Sequence, residues 1–170
     1  MSSSPTITAF APGRTARHEA AFTWVLDSVL GLTWAWADTE EEYRQAEGVR
    51  FHYGGPTSLP GEAFAAEGLL SELGQCRSEP PDVEGEGADL FAAVFWMGSR
   101  MEEFLPDVRR DAHDRYDPTG SVSEQKGWID RPMCEHWSFA IGARLLGPVW
   151  PAHEAALTSS YEVVPTLDVD

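Results

Sequence analysis

Two carboxylates close to the C-terminus have the clearest potential for chemistry. Asp168 and Asp170 lie two positions apart in a predicted strand at 161–170, so both side chains point to the same face. Carboxylates that converge in this way repel each other, and such a pair commonly binds a cation or shares one proton. An acidic terminus without a chemical role explains the same residues, and the spacing alone favours that interpretation.

The five histidines form no recognisable metal or nucleophile site. No pair has the i,i+3 or i,i+4 spacing of a metal site on a helix, because they stand at positions 18, 52, 113, 136 and 153. Cys134 and His136 are two residues apart in a predicted helix and therefore point in different directions, which argues against a Cys/His nucleophile pair. His18 lies on the apolar stripe of a predicted helix, which favours a histidine satisfied at the edge of the core.

A second polar group, Arg100, Glu102 and Glu103, follows a strongly apolar stretch. The two glutamates are adjacent on a predicted helix and diverge, so they are not a facing acid–base pair. Arg100 and Glu103 have the i,i+3 spacing of an ion pair at a helix end. We expect Arg100 to be partly buried and to bind the turn at 115–118 or the 121–130 segment, whereas Glu102 is expected to face water.

These residues end the element around which the chain is organised, a helix predicted at about 89–105. Asp89 is a favourable N-cap, and Pro106 is a favourable stop. The first half, from Leu90 to Met97, is apolar on every side, which is typical of a helix buried all round. We therefore expect this helix to occupy the centre of the core.

The remaining pattern predicts an α/β fold with a small, at least partly parallel sheet flanked by helices. Helical and strand patterns alternate in the first third of the chain, at 15–31, 32–37, 39–47 and 49–53. Residues 7–10 are expected to add an edge strand, and residues 62–73 a short helix. Residues 131–147 should form a helix that starts at a proline and is followed by a linker.

Composition excludes some classes of partner. The 170 residues carry a formal charge of −16, which argues against binding nucleic acid or anionic membranes. Lys126 is the single lysine among 12 basic residues, which fits adaptation to high salt or a GC-rich genome. Two cysteines predict a reduced, buried pair rather than a disulfide framework. No signal peptide or membrane span is recognisable, so a cytoplasmic location without membrane insertion is expected.

Several motifs carry a resemblance to a known domain. The helix reads Asp-Leu-Phe-Ala-Ala-Val-Phe from residue 89, and its end reads Ser-Arg-Met-Glu-Glu-Phe-Leu from residue 99. A turn at 114–118, a Lys-Gly-Trp-Ile segment with Trp128 and a proline-led helix with Trp137 follow in order. The chain thereby resembles the domain of unknown function that precedes the catalytic domain in bacterial polysaccharide-deacetylase-like proteins. Asp114 departs from this pattern, because glycine is common at that position of the turn.

The resemblance implies a division of the chain into an accessory part and the start of an enzyme. Residues 1–160 would be the N-terminal accessory domain, and 161–170 a linker and the first strand of a deacetylase-like domain. Asp168 would match the general base and Asp170 a ligand of a divalent metal such as zinc, with two histidines supplied further on. By this resemblance the chain is not catalytic alone and carries no cofactor of its own.

The expected partners are this downstream domain and a polysaccharide. Arg100, Glu102, Glu103, Arg115, Trp128 and Trp137 would be its structural or interaction motif. Two alternatives remain open: an interaction module for envelope or exopolysaccharide assembly, and a hydrolase that uses Glu102 and Glu103 with His113.

Overall fold

A four-stranded parallel sheet forms one layer of the protein. The computed structural model describes residues 6–72 and 74–159. The strands are β1 (Ile7–Phe10), β2 (Trp34–Trp36), β3 (Arg50–Tyr53) and β4 (Glu62–Phe64). Their order in the sheet is β2-β1-β3-β4, and every neighbouring pair is parallel. The predicted α/β class with a parallel sheet is confirmed.

Two predictions about the strands were wrong. β1 lies inside the sheet rather than at its edge, because it pairs with β2 on one side and with β3 on the other. Residues 62–64 form β4 instead of the start of a helix, since they pair with Phe51, His52 and Tyr53 of β3. Pairing between strands distant in sequence therefore overrode the local pattern.

Helices occur between residue 16 and residue 159, the last residue that the structure describes. They are α1 (Ala16–Phe22), which continues as a π-helix (Thr23–Val29), α2 (Glu40–Gln45), α3 (Leu90–Gly98), α4 (Val122–Gln125), α5 (Met133–Leu146) and α6 (Trp150–Ser159). Two 3₁₀ turns, Met101–Phe104 and Gly147–Val149, follow α3 and α5. The predicted linker after residue 147 is thus mostly helix α6. None of the described helices is long and apolar enough to cross a membrane.

Local sequence signals account for several helix starts. Thr39 and Glu42 form a capping box at the start of α2. Thr15 caps α1, and its backbone N–H donates to Nδ1 of His18, at 3.1 Å. His18 is buried and satisfied in this way, as predicted. Gly31 adopts a positive φ of 59° directly after the helix, the conformation that glycine allows at a helix end.

The main core lies on one face of the sheet, where α1, α3 and α5 pack. Phe91 of α3 is at its centre and contacts the rings of Phe22, Phe51 and Phe64 at centroid distances of 4.4–5.4 Å. A smaller cluster on the other face, under α2, consists of Phe10, Ala37, Tyr43 and Leu59. The expectation that α3 forms the centre of the core is confirmed.

The predicted pair of buried cysteines is not found. Cys76 is exposed in the segment between β4 and α3, and Cys134 is half-buried near the start of α5. Both are free thiols.

Candidate functional site around Glu102

The central helix is shorter than its sequence pattern predicts. Asp89 caps it, accepting a hydrogen bond from the Ala92 N–H at 3.0 Å, and the regular helix ends at Gly98. Arg100 then adopts a left-handed conformation with φ 52° and ψ 43°, which reverses the backbone before the 3₁₀ turn Met101–Phe104. Gly98 is in close contact with the Trp24 ring: a Cβ there would lie 1.7 Å from that ring.

This break directs Arg100 into solvent. Its side chain is 68% exposed and forms an ion pair with Glu103, the local partner expected from the i,i+3 spacing. The prediction that Arg100 is partly buried and binds the turn at 115–118 or the 121–130 segment is wrong, because its side chain is exposed and pairs with Glu103 instead.

Glu102, rather than Arg100, connects the end of α3 to the segment that follows the turn at 115–118. Its half-buried carboxylate accepts a hydrogen bond from the Val122 N–H at 3.1 Å, across 20 residues of sequence. Tyr116 faces the same carboxylate, and burial, followed by hydrogen bonding to Glu102, raises the pKa of Tyr116 to about 12. Glu102 therefore links the end of α3 to the 116–122 segment, and the prediction that it faces water is wrong.

Three cavities lie around the hydrogen bond between Glu102 and Val122. The first, here called the Glu102 groove, has a volume of about 600 Å³ and is lined by Glu102, Leu105, Arg109, Tyr116, Val122 and Gln125, among others. The second, the Trp128 groove, also measures about 600 Å³ and is lined by Pro80, Val83, Val122, Lys126 and Trp128, among others. The third, the Ile129 pocket, measures about 200 Å³ and lies between Met97, Glu102 and Ile129. Glu79, Val122 and Gln125 line both grooves, so the two grooves are neighbours.

Apolar side chains project from the same region. Phe104 is 72% exposed and Ile129 is 57% exposed, although both are large and apolar. Trp128 is half-buried, and its ring packs edge-on against Trp137 of α5, with centroids 5.2 Å apart. Trp137 itself belongs to the main core. Trp128 and Trp137 thus connect the core to the surface.

Two further residues considered as candidates stay apart from Glu102. Arg115 is 73% exposed and pairs locally with Asp111 at 2.7 Å. His113 is exposed in the same turn, and neither the Glu102 groove nor the Ile129 pocket is lined by it. This separation gives no support to a hydrolase that combines His113 with Glu102 and Glu103. Asp114 in this turn has a φ of 60°, which explains why glycine suits the position.

The described residues, 6–72 and 74–159, contain no group of three or more histidine, cysteine or acidic side chains that could hold a metal. The predicted Asp168 and Asp170 lie outside this range. Asp89 is a buried carboxylate with a structural role, because Tyr53 Oη donates to it at 2.6 Å and the Glu67 N–H at 2.9 Å. Burial raises the pKa of Asp89, and these hydrogen bonds oppose that rise.

Comparison with known sequences identifies the family. A family of unknown function, DUF7033, matches residues 7–148. The chain belongs to the DUF7033 family. The DUF7033 match begins at the first residue of β1 and ends within the turn after α5, so it includes the sheet, the grooves and the Ile129 pocket. No curated protein matches the chain, and no solved structure matches it.

Proposed function

We propose that this DUF7033 chain is a non-catalytic accessory domain that docks onto the polysaccharide-deacetylase-like domain of the same protein. The observation that carries a docking role is the exposure of two large apolar side chains, Phe104 and Ile129, of which Ile129 lines the Ile129 pocket and Phe104 directly follows Glu103, another of its lining residues. Apolar surface of this kind commonly marks contacts between proteins or domains. The resemblance described above provides the identity of the partner.

The motif at the end of α3 suits a docking role because one of its residues holds the segment in place while two others point into solvent. Glu102 ties the segment to Val122 and so fixes its position. Arg100 and Phe104 project into solvent from the same short stretch. A rigid backbone with outward-pointing arginine and aromatic side chains is favourable for an interface, since little conformational freedom is lost on docking.

In the complete protein, Asp168 would act as the general base and Asp170 would help to bind a divalent metal such as zinc. The metal, when bound, would activate water and polarise the carbonyl of an N-acetyl group. Hydrolysis of this amide consumes one water and yields acetate and a protonated amine on the sugar. The chain described here would contribute position and surface to that reaction rather than catalytic groups from its α/β domain.

The test begins with the reading frame beyond Asp170, which should encode a domain with two metal-binding histidines. Hydrogen exchange of the complete protein is then compared with that of the 170-residue chain. We expect the amides around Phe104 and Ile129 to exchange more slowly in the complete protein, because docking covers them. The double variant Phe104→Ser/Ile129→Ser should lower the melting temperature of the complete protein more than that of the 170-residue chain.

Val149→Ser is the matched control, because Val149 is 63% exposed and lies in the turn between α5 and α6. It should change the two melting temperatures equally. A frame that stops directly after residue 170, or equal exchange around Phe104 in both proteins, would overturn the proposal. The first outcome would favour the alternative role, an interaction module in envelope or exopolysaccharide assembly.

A further inference from the structure

His52 is a buried histidine whose ring is not hydrogen-bonded. Its side chain is only 2% exposed, and neither Nδ1 nor Nε2 has a hydrogen-bond partner among the residues that the structure describes. His18, which is buried as well, differs because the backbone N–H of Thr15 donates to its Nδ1. A buried polar group without a partner costs free energy, and a buried charge without a partner costs far more. The position therefore tolerates a neutral imidazole and strongly disfavours a protonated one.

The ring of His52 is tightly enclosed. It lies in β3, between β1 and β4 in the sheet. The Tyr43 ring of α2 packs edge-on against the imidazole, with ring centroids 6.2 Å apart. The turn at 54–61 closes over the same ring, since a Cβ at Gly55 would lie 3.1 Å from both Nδ1 of His52 and Cδ1 of Leu59. A protonated ring would have to be hydrated, and this packing must open before water can surround it.

The elements that cover His52 supply no charge that could neutralise it. The turn at 54–61 and strand β1 contain no titratable side chain. Tyr43 is the buried residue of α2, and the other side chains of that helix are exposed. Its hydroxyl donates to the Pro60 carbonyl oxygen at 2.6 Å, and burial raises the pKa of Tyr43 to about 12, so the phenol is neutral.

The neighbouring strands provide two charges, and both are already engaged. Arg50 lies two positions before His52 on the same face of β3 and adds a positive charge. Its guanidinium donates to three backbone carbonyls at the end of α2. Glu62 in β4 is paired with Arg144 at 2.7 Å. Burial lowers the pKa of His52, and the charge of Glu62 only partly opposes this.

We propose that protonation of His52 opens the turn at 54–61 away from the sheet, so that this face of the protein is a pH-sensitive switch. The turn gives way rather than β3, because β3 is paired with a strand on each side. Displacement of the turn also loosens α2, since Tyr43 donates to Pro60 of the turn. Opening exposes the apolar cluster to which Tyr43 and Leu59 belong. The switch is independent of the proposed docking role, because it lies on the face of the sheet opposite α3.

The direction and size of the pH effect follow from linkage. The closed form holds the neutral imidazole, whereas in the open form the ring titrates as an ordinary histidine, with a pKa of about 6.5. Opening therefore becomes more favourable as the pH falls below about 6.5, by up to about tenfold for each pH unit. The population of the open form should rise about tenfold between about pH 7.5 and about pH 5.5.

Hydrogen exchange of the 170-residue chain, followed by NMR and corrected for the intrinsic pH dependence of exchange, tests the proposal. The amides of Gly54 and Leu59 report opening, because they donate to the carbonyls of Phe64 and Pro56, each at 3.0 Å. We expect their protection factors to fall about tenfold between about pH 7.5 and about pH 5.5. Low concentrations of urea should hardly affect this exchange, because a local opening exposes little surface.

Two variants provide the comparison. His52→Leu removes the titrating ring, so the protection of Gly54 and Leu59 should change by less than about twofold over the same pH range. His136→Gln is the matched control, because His136 is exposed in α5, and it should retain the tenfold fall of the parent chain. The imidazole carbon signals of His52 in the unsubstituted chain give a readout that does not depend on either variant. They should show a neutral ring at about pH 6.

Several results would overturn the proposal. Protection at Gly54 and Leu59 that does not change with pH, or that falls equally in His52→Leu, would exclude His52 as the trigger. A fall with a steep urea dependence would show global unfolding in place of a local switch. A protonated His52 ring at about pH 6 beneath a fully protected turn would show that the closed form accommodates the charge.

Discussion

Removal of the Glu102 carboxylate is the most direct test of how the candidate site is assembled. In Glu102→Ala, the N–H of Val122 loses its acceptor at 3.1 Å, and Tyr116 loses the carboxylate that it faces. A hydrogen bond to a charged group contributes about 1.5–3 kcal/mol net. Because Glu102 is half-buried, we expect a loss of about 2 kcal/mol in the free energy of unfolding.

Arg100→Ala is the matched comparison from the same motif. Arg100 is 68% exposed, and a surface ion pair with Glu103 contributes no more than about 0.5 kcal/mol. Arg100→Gly should instead raise stability by roughly 0.5–1 kcal/mol, since glycine adopts the observed φ of 52° without the strain of a Cβ.

Urea denaturation distinguishes these changes. With an m-value of about 2 kcal/mol/M, the midpoint should fall by about 1 M in Glu102→Ala and by no more than about 0.25 M in Arg100→Ala. Equal small shifts would refute the anchoring role of Glu102. A larger shift for Arg100→Ala would show that the guanidinium is buried against the turn after all.

Three further predictions concern the fold that supports the site. Gly98→Ala places a Cβ 1.7 Å from the Trp24 ring and should cost at least about 2 kcal/mol, although alanine favours helix; an unchanged melting temperature would contradict this contact. Burial lowers the pKa of both His52 and His18 in the folded protein. The unfolded chain therefore binds protons more readily, so stability should fall as the pH drops below about 6.5. His52→Leu should flatten this loss of urea midpoint without abolishing it, and an identical pH profile would exclude the contribution of His52. Asp89→Ala removes the acceptor of three hydrogen bonds and should cost about 3 kcal/mol by urea denaturation, a figure refuted by a loss below about 1 kcal/mol.

Signals that act between near neighbours in sequence were sufficient for much of the fold. The capping box of Thr39 and Glu42 predicted α2, and Asp89 with the apolar run after it predicted α3 and its burial. Such signals depend on contacts three or four residues apart, so they can be recognised without the rest of the molecule. The alternation of helices and strands over residues 15–53 likewise predicted an α/β fold with parallel strands.

The pairing of strands that are distant in sequence could not be predicted from such local signals. Residues 62–64 carry a pattern that fits a helix, but the exposed edge of β3 pairs with them as β4. The position of β1 inside the sheet depends on which two strands flank it, and a single strand does not carry that information. The helix α6 was missed because Trp150 and Pro151 follow a glycine–proline turn that suggests a linker.

The amino-acid sequence by itself located the motif from Ser99 to Leu105, and the tertiary structure decided what each of its residues does. The regular helix ends at Gly98, which contacts the Trp24 ring 74 residues away in sequence, and the left-handed Arg100 that follows has its side chain exposed to solvent. The same turn directs Glu102 to the Val122 N–H, which the chain brings back only after a further 20 residues. The sequence-based prediction assumed that the helix continues to about residue 105, so it assigned the buried and exposed roles of Arg100 and Glu102 the wrong way round.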